Sequence, residues 1–129
     1  MSTRCRFIIE DWAGGIAAII FRHRDGYPEE TLPDFQKFAA LAWPLPRFEP
    51  DEYAAAIVAV LKKGSGGIRV CHPVAPGYDD TAYHYTIKLG PNGQWSVIVE
   101  EREEPHSPRW LPYGSYLLDD LHKGIVKQV

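Results

Sequence analysis

The sequence has few cysteines and no hydrophobic run long enough to cross a membrane. Cys5 and Cys71 are the only cysteines among 129 residues, and both lie in apolar, strand-like runs. Two cysteines cannot build a disulfide framework, so we expect buried free thiols in a reducing compartment, with a bridge between two strands as the alternative. The longest apolar run, residues 13–21, is too short for a transmembrane helix, and no signal-peptide pattern is present. These features predict a cytoplasmic protein without a membrane partner.

Basic residues are also in the minority. Lys and Arg number 14 against 17 Asp and Glu, which gives a formal net charge of −3. Proteins that bind nucleic acid normally carry a basic face, so we expect no direct nucleic-acid binding. The apolar fraction of 45% is ordinary for a globular protein, and 129 residues are enough for one hydrophobic core. We therefore expect a single domain over residues 1–129.

Motifs that specify a reaction or a cofactor are missing as well. His23-Arg24-Asp25 spells the tripeptide of the protein-kinase catalytic loop, but Glu30 stands where a kinase has asparagine, and no Asp-Phe-Gly follows. The five histidines show no metal-ligand spacing with either cysteine. We expect no metal, no cofactor and no catalytic residue, and so a protein that is not an enzyme.

One polar corner stands out, and the chain is organised around it. The corner consists of Arg22, His23, Arg24, Asp25, Gly26, Tyr27 and Pro28. It joins an apolar strand-like run to a helical pattern. Asp25-Gly26 predicts a tight turn, because glycine adopts positive φ without penalty, and Pro28 fixes the backbone that follows. The corner either serves geometry alone or forms a binding site.

Alternating and helical patterns predict an α+β fold. Strands are expected at residues 4–10, 16–22, 68–71, 83–89 and 95–99, with the first two and the last two each paired as a hairpin. The first helix is expected to start with Thr31 as its N-cap. The second runs from Pro50 to Lys63, with acidic residues at its start and lysines in its last turn, as the helix dipole favours. The order β-β-α-α-β-β-β-α predicts an antiparallel sheet of about five strands, with the two central helices packed on one face.

The last part of the chain changes character. Residues 104–129 are expected to form a proline-rich, irregular tail that ends in a short helix and can cover a strand edge. Trp110 and Tyr113 are expected to anchor this tail to the body. The final helix is indicated by apolar residues at helical spacing, which are Leu117, Leu118, Leu121 and Ile125.

The corner and the second hairpin together resemble a family of small phage and prophage proteins. In that family a strand leads into Tyr-Arg-His-x-Asp-Gly-Tyr-Pro, and a later strand carries Tyr-x-Tyr, for which Tyr83-His84-Tyr85 is the counterpart here. The resemblance covers roughly residues 1–100, and the proline-rich tail less well. Phe21 and Arg24 depart from the family's tyrosine and aromatic residue, so a ligand-stacking role at those positions is not implied. The resemblance implies a phage or prophage protein acting in the bacterial host cytoplasm.

Small acidic phage proteins without a reaction motif are similar in kind to the inhibitors that phages use against bacterial defence, among them the anti-CRISPR proteins. Such inhibitors bind stoichiometrically to a protein that handles nucleic acid, with carboxylates in place of phosphates. The partner expected here is a CRISPR-associated effector subunit. Candidate contact residues are Glu29, Glu30, Asp51, Glu52, Glu100, Glu101, Glu103 and Glu104. The alternative is that these are scattered solvated charges.

Two other functions are compatible with the sequence. The His23–Tyr27 corner can serve as the pocket of a nucleotide- or signal-ligand-binding protein. His23 and Asp25 can also be an acid–base pair of a small hydrolase, although nothing else in the sequence directs them to a substrate.

Overall fold

The computed structural model describes residues 3–64, 66–71 and 80–129. Its elements are β1 Cys5–Glu10, β2 Ile16–Arg22, α1 Pro28–Leu41, α2 Pro50–Gly64, β3 Ile68–Cys71, β4 Tyr83–Leu89, β5 Trp95–Arg102, β6 Trp110–Leu117 and α3 Leu118–His122. The predicted α+β class is confirmed. Both predicted hairpins, β1–β2 and β4–β5, are present.

The sheet differs from the prediction in strand number and direction. It has six strands in the order β3-β2-β1-β4-β5-β6, and β1 pairs with β4 in parallel. The prediction of about five antiparallel strands is therefore wrong in detail. Hairpin patterns report only on strands joined by a short turn. How the two hairpins dock depends on contacts between distant residues, such as Phe7 beside Tyr85, and no local pattern encodes them.

The core lies between one face of the sheet and the helices. Alternate residues of the strands point to this face, so that Phe7 of β1 stacks on Tyr85 of β4 with ring centroids 5.5 Å apart. Phe35 and Phe38 of α1 pack on the same Phe7 ring, and Tyr53 of α2 packs on Phe38. These five side chains are at most 1% exposed. Burying aromatic side chains of this size stabilises a fold by about 1.5–3 kcal/mol each.

The first helix begins earlier than predicted. Its N-cap is Tyr27, and Pro28 is the first helical residue, where a missing N–H costs nothing. Thr31 therefore lies one turn inside α1 and does not cap it. Its hydroxyl instead donates a hydrogen bond to the carbonyl of Asp25, 2.9 Å away. The second helix agrees with its prediction, with Asp51 and Glu52 in the first turn and two lysines in the last.

The tail prediction is also corrected. Residues 110–117 form the sixth strand, which pairs with β5 through Trp110 opposite Arg102 and Tyr116 opposite Val97. Proline is tolerated in an edge strand, where its missing N–H does not break a ladder on both sides. The final helix ends at His122, and Ile125 lies beyond it, 45% exposed. The chain end then returns to β6, where the Val129 amide donates to the Ser115 carbonyl.

Both cysteines are free thiols, as predicted, but only Cys5 shows the predicted burial. Cys5 is buried in β1 and Cys71 is half-buried in β3. Burial raises the pKa of the Cys5 thiol to about 12, which keeps it protonated and unreactive. No helix within residues 3–64, 66–71 and 80–129 has the length and apolar character to cross a membrane.

Candidate functional site

The polar corner is fastened to the sheet at Gly26. The Gly26 amide donates to the Thr3 carbonyl, 2.9 Å away, and the Gly26 carbonyl accepts a hydrogen bond from the buried Tyr85 phenol at 2.5 Å. A Cβ added at Gly26 would lie 2.8 Å from the Cβ of Cys5. The positive φ predicted for this glycine belongs instead to Asp25, with φ 57°. Gly26 is required here because its backbone approaches β1 closely.

An ion pair joins the corner to the first helix. The Arg22 guanidinium donates to Asp34 Oδ2 at 2.8 Å, and both side chains are only about one-eighth exposed, at 13% and 11%. Arg22 also donates to the hydroxyl of Thr31, 3.3 Å away. Charge-assisted hydrogen bonds with little solvent competition are stronger than exposed ones. The Arg22 side chain of the corner therefore has a structural role.

His23 and Asp25 have different surroundings, although they are two residues apart. The Nδ1 atom of His23 accepts a hydrogen bond from Arg4 Nε at 3.3 Å, and the ring lines a small cavity with Arg4 and Asp80. Asp25 lines another cavity, of ≈ 510 Å³, together with Arg22 and Lys63. An acid–base pair needs both groups within reach of one substrate. This placement gives the His23–Asp25 hydrolase hypothesis no support.

The remaining corner residues are distributed between solvent and scaffold. Arg24 is exposed, Tyr27 is half-buried, and Pro28 is buried at the start of α1. The predicted pocket therefore does not form from the whole His23–Tyr27 segment. Only Arg22 and Asp25 of the corner line the larger cavity.

The predicted acidic cluster is divided by the sheet. Glu100 lies opposite His84 and Glu101 lies opposite Tyr83 in the β4–β5 register, so the two carboxylates point to opposite faces. Glu103 forms an ion pair with Arg109, 3.3 Å apart, and Glu104 is exposed beyond the end of β5. Asp51 and Glu52 lie on the first turn of α2. The acidic residues named from the sequence thus do not share one surface.

Two of them, Glu29 and Glu101, act electrostatically on the same pair of tyrosines. Tyr83 of β4 and Tyr113 of β6 contact edge to face, with ring centroids 6.2 Å apart. Burial raises the pKa of Tyr83, and the carboxylates of Glu101 and Glu29 raise it further. Burial and then Glu29 raise the pKa of Tyr113, with a smaller effect from Glu101. Glu29 lies in the first turn of α1, so this group takes one residue from each of α1, β4, β5 and β6.

We call these four residues, Glu29, Tyr83, Glu101 and Tyr113, the Glu–Tyr surface. Glu29 is exposed and the other three residues are half-buried, so all four are at least partly accessible to solvent. Glu30 is exposed next to Glu29. Tyrosine is enriched at protein interfaces because it combines a large apolar ring with a hydrogen-bonding hydroxyl.

The tyrosines of this surface are not among the site residues that the sequence predicts. The strand alternation places Tyr83 only on a face of β4, and Tyr113 falls in the predicted irregular tail. The signal that could have identified β6 is its aromatic content, with Trp110, Tyr113 and Tyr116 at short spacing. Pro112 and Gly114 interrupt that pattern.

No metal centre is formed by the residues that the structure describes, since none of their His, Cys, Asp and Glu side chains gather in groups of three or more. His72 falls outside those residues. The half-buried His122 is bound instead to the Tyr53 hydroxyl, 2.8 Å away.

Comparison with protein-family models, curated proteins and solved structures finds no match to this chain. Its resemblance to small phage and prophage proteins stays a prediction from the sequence.

Proposed function

We propose that the protein is a phage- or prophage-encoded, non-enzymatic inhibitor of a bacterial defence system, of the anti-CRISPR type. It would act by stoichiometric binding to an effector protein that handles nucleic acid. The observation that carries the proposal is the Tyr83–Tyr113 ring pair, with centroids 6.2 Å apart, on which the charges of Glu29 and Glu101 both act.

The chemistry of the Glu–Tyr surface supports binding to a basic protein. Glu29 and Glu101 place negative charge around the tyrosine pair, although the whole chain carries a net charge of only −3. A nucleic-acid-handling effector has a basic groove, which attracts such a charge and speeds association. The edge-to-face pair of Tyr83 and Tyr113 adds flat apolar area beside the carboxylates, suited to stacking against arginine.

Phage plating on a CRISPR-immune host tests the proposal in cells. Expression of the chain should restore plating of a targeted phage, and Glu29→Gln with Glu101→Gln should reduce the restoration. Glu100→Gln is the matched control, because Glu100 is adjacent in sequence but lies on the other face of the sheet. If no tested CRISPR type is inhibited by the parent chain, the proposed function is wrong.

A titration of purified effector separates an inhibitor that binds from one that catalyses. The proposal predicts full loss of effector activity only near one chain per target. It also predicts that His23→Ala and Asp25→Ala reduce inhibition no more than they reduce binding. Inactivation by a small fraction of one chain per target, lost in His23→Ala without weaker binding, would instead identify a catalyst.

A second candidate function is the binding of a small charged ligand in the ≈ 510 Å³ cavity beside the corner. The cavity is lined by Arg22, Lys37 and Lys63 and by the carboxylates of Asp25 and Asp34, above apolar residues of α1 and α2. Its size suits a nucleotide or a similar signal molecule. Thermal shift measurements with a set of nucleotides test it, and Lys63→Ala should remove any stabilisation seen with the parent chain.

A further inference from the structure

An apolar groove of ≈ 380 Å³ lies at the β3 edge of the sheet. The strands of the Glu–Tyr surface, β4, β5 and β6, form the other half of the sheet. It is lined by three alanines and Val58 of α2, by Ala18 and Ile20 of β2, and by Val70 of β3. Val70 is 71% exposed, although valine is usually buried. A groove with an apolar lining and an exposed valine at its rim is typical of an interaction site.

The exposed side of α2 forms one rim of this groove and has an ordered charge pattern. Asp51, Ala55, Ala59 and Lys63 recur at four-residue spacing, and all four are exposed. Residues four apart are neighbours on a helix surface and form a row inclined to the helix axis. This row is negative at its start, small and apolar in its middle where it lines the groove, and positive at its end.

We propose that a second copy of this chain covers the groove, with α2 packed antiparallel on α2 of the partner about a two-fold axis at the level of Ile57. Positions equally far from residue 57 then face each other. Asp51 meets Lys63 of the other copy, and Ala55 meets Ala59. Glu52 and Lys62 are related in the same way.

This self-complementarity is the reason for choosing a second copy as the occupant. A two-fold interface brings the same patch of both subunits together, so each contact occurs twice. If the exposed side of α2 carried charges of one sign only, two copies would repel each other. The small Ala55 and Ala59 side chains allow the helices to approach closely, so that Val70 of each copy can be covered.

The β6 edge, at the other end of the sheet, is less open to a second copy. Gln128 forms a bridge with Tyr116, and the Val129 amide donates to the Ser115 carbonyl, so the end of the chain lies along β6. The 15-residue α2 is only about 22 Å long. We therefore expect a concentration-dependent dimer that buries less area than an obligate one.

Sedimentation equilibrium over a wide concentration range, up to that used for NMR, tests the proposal. The parent chain should form dimers. Lys63→Glu and Asp51→Lys should each weaken dimerisation by roughly tenfold or more, because each places two pairs of like charges in contact. The double variant Asp51→Lys with Lys63→Glu restores opposite charges in the proposed pairs, so its dimerisation should return close to that of the parent.

Lys88→Glu is the matched control, since it makes the same charge change at an exposed position of β4. Circular dichroism shows whether each variant is folded, and Val70→Ser tests the groove without altering α2. Monomers at every parent concentration would overturn the proposal. So would a double variant that stays as weak as the single ones, or a Val70→Ser variant that dimerises like the parent.

Discussion

The Tyr85 phenol donates a hydrogen bond to the carbonyl of Gly26, with 2.5 Å between the two oxygens. Tyr85 lies in the middle of the sheet and is fully buried, and Gly26 lies in the corner between β2 and α1. Burial raises the pKa of Tyr85 well above its ordinary value, so the phenol remains a donor. This bond fixes the position at which α1 starts, and with it the position of Glu29.

Gly26→Ala should destabilise the fold by about 1–3 kcal/mol, because the added Cβ would lie 2.8 Å from Cys5 Cβ and 2.9 Å from the Cys5 amide nitrogen. Urea unfolding followed by circular dichroism measures the change. Gly64→Ala is the control, since a Cβ there meets no atom within 4 Å. Equal stability of the Gly26 variant and the parent would contradict the close approach of the corner to β1.

Arg22→Met should destabilise the fold by about 3 kcal/mol, because it leaves the nearly buried Asp34 carboxylate without its closest cation. Lys37→Met is the matched control. Lys37 forms an ion pair with the same carboxylate at 3.5 Å, but its side chain is 70% exposed, so its loss should cost less than about 1 kcal/mol. Similar losses in both variants, measured by urea unfolding, would show that the Arg22–Asp34 pair has no special role.

His122 should make the stability depend on pH. Burial lowers the pKa of His122 from 6.5 to about 4, so between these values the unfolded chain binds a proton that the folded chain does not. The free energy of unfolding is therefore highest, as far as His122 is concerned, above pH 6.5, and it decreases as the pH falls towards 4. His122→Gln, which can still bind the Tyr53 hydroxyl, should show a weaker pH dependence in that window. Free energies of unfolding at several pH values decide it, and parallel curves would refute the role of His122.

The sequence predicted those helices and hairpins whose residue pattern lies within one continuous stretch of the chain. The alternation that starts at Tyr83 gave the β4–β5 hairpin, and the charges at the two ends of α2 gave that helix. Strand β6 was not predicted because Pro112 argues against a central strand. An edge strand such as β6 accepts proline. The turn at Asp25-Gly26 was also predicted, although its positive φ was placed one residue too late.

The candidate site was predicted only in part, for a physical reason. Glu101 and Glu29 were both named from the sequence, but 72 positions separate them by their numbering in the chain. Their shared effect on Tyr83 and Tyr113 depends on β4 pairing with β5 and on where α1 starts, and both arise from the packing of the whole fold. The two-residue period of a strand places Glu100 and Glu101 on opposite faces of the sheet.

The most direct test of the central claim is the rate of association with a purified CRISPR-associated effector that the chain inhibits, measured at two ionic strengths. Glu29→Gln with Glu101→Gln should slow association and flatten its salt dependence, because both carboxylates of the Glu–Tyr surface are neutralised. Glu100→Gln should match the parent in rate and in salt dependence. If the double variant behaves like the parent, or if Glu100→Gln has the larger effect, the Glu–Tyr surface is not the contact and the central claim is wrong.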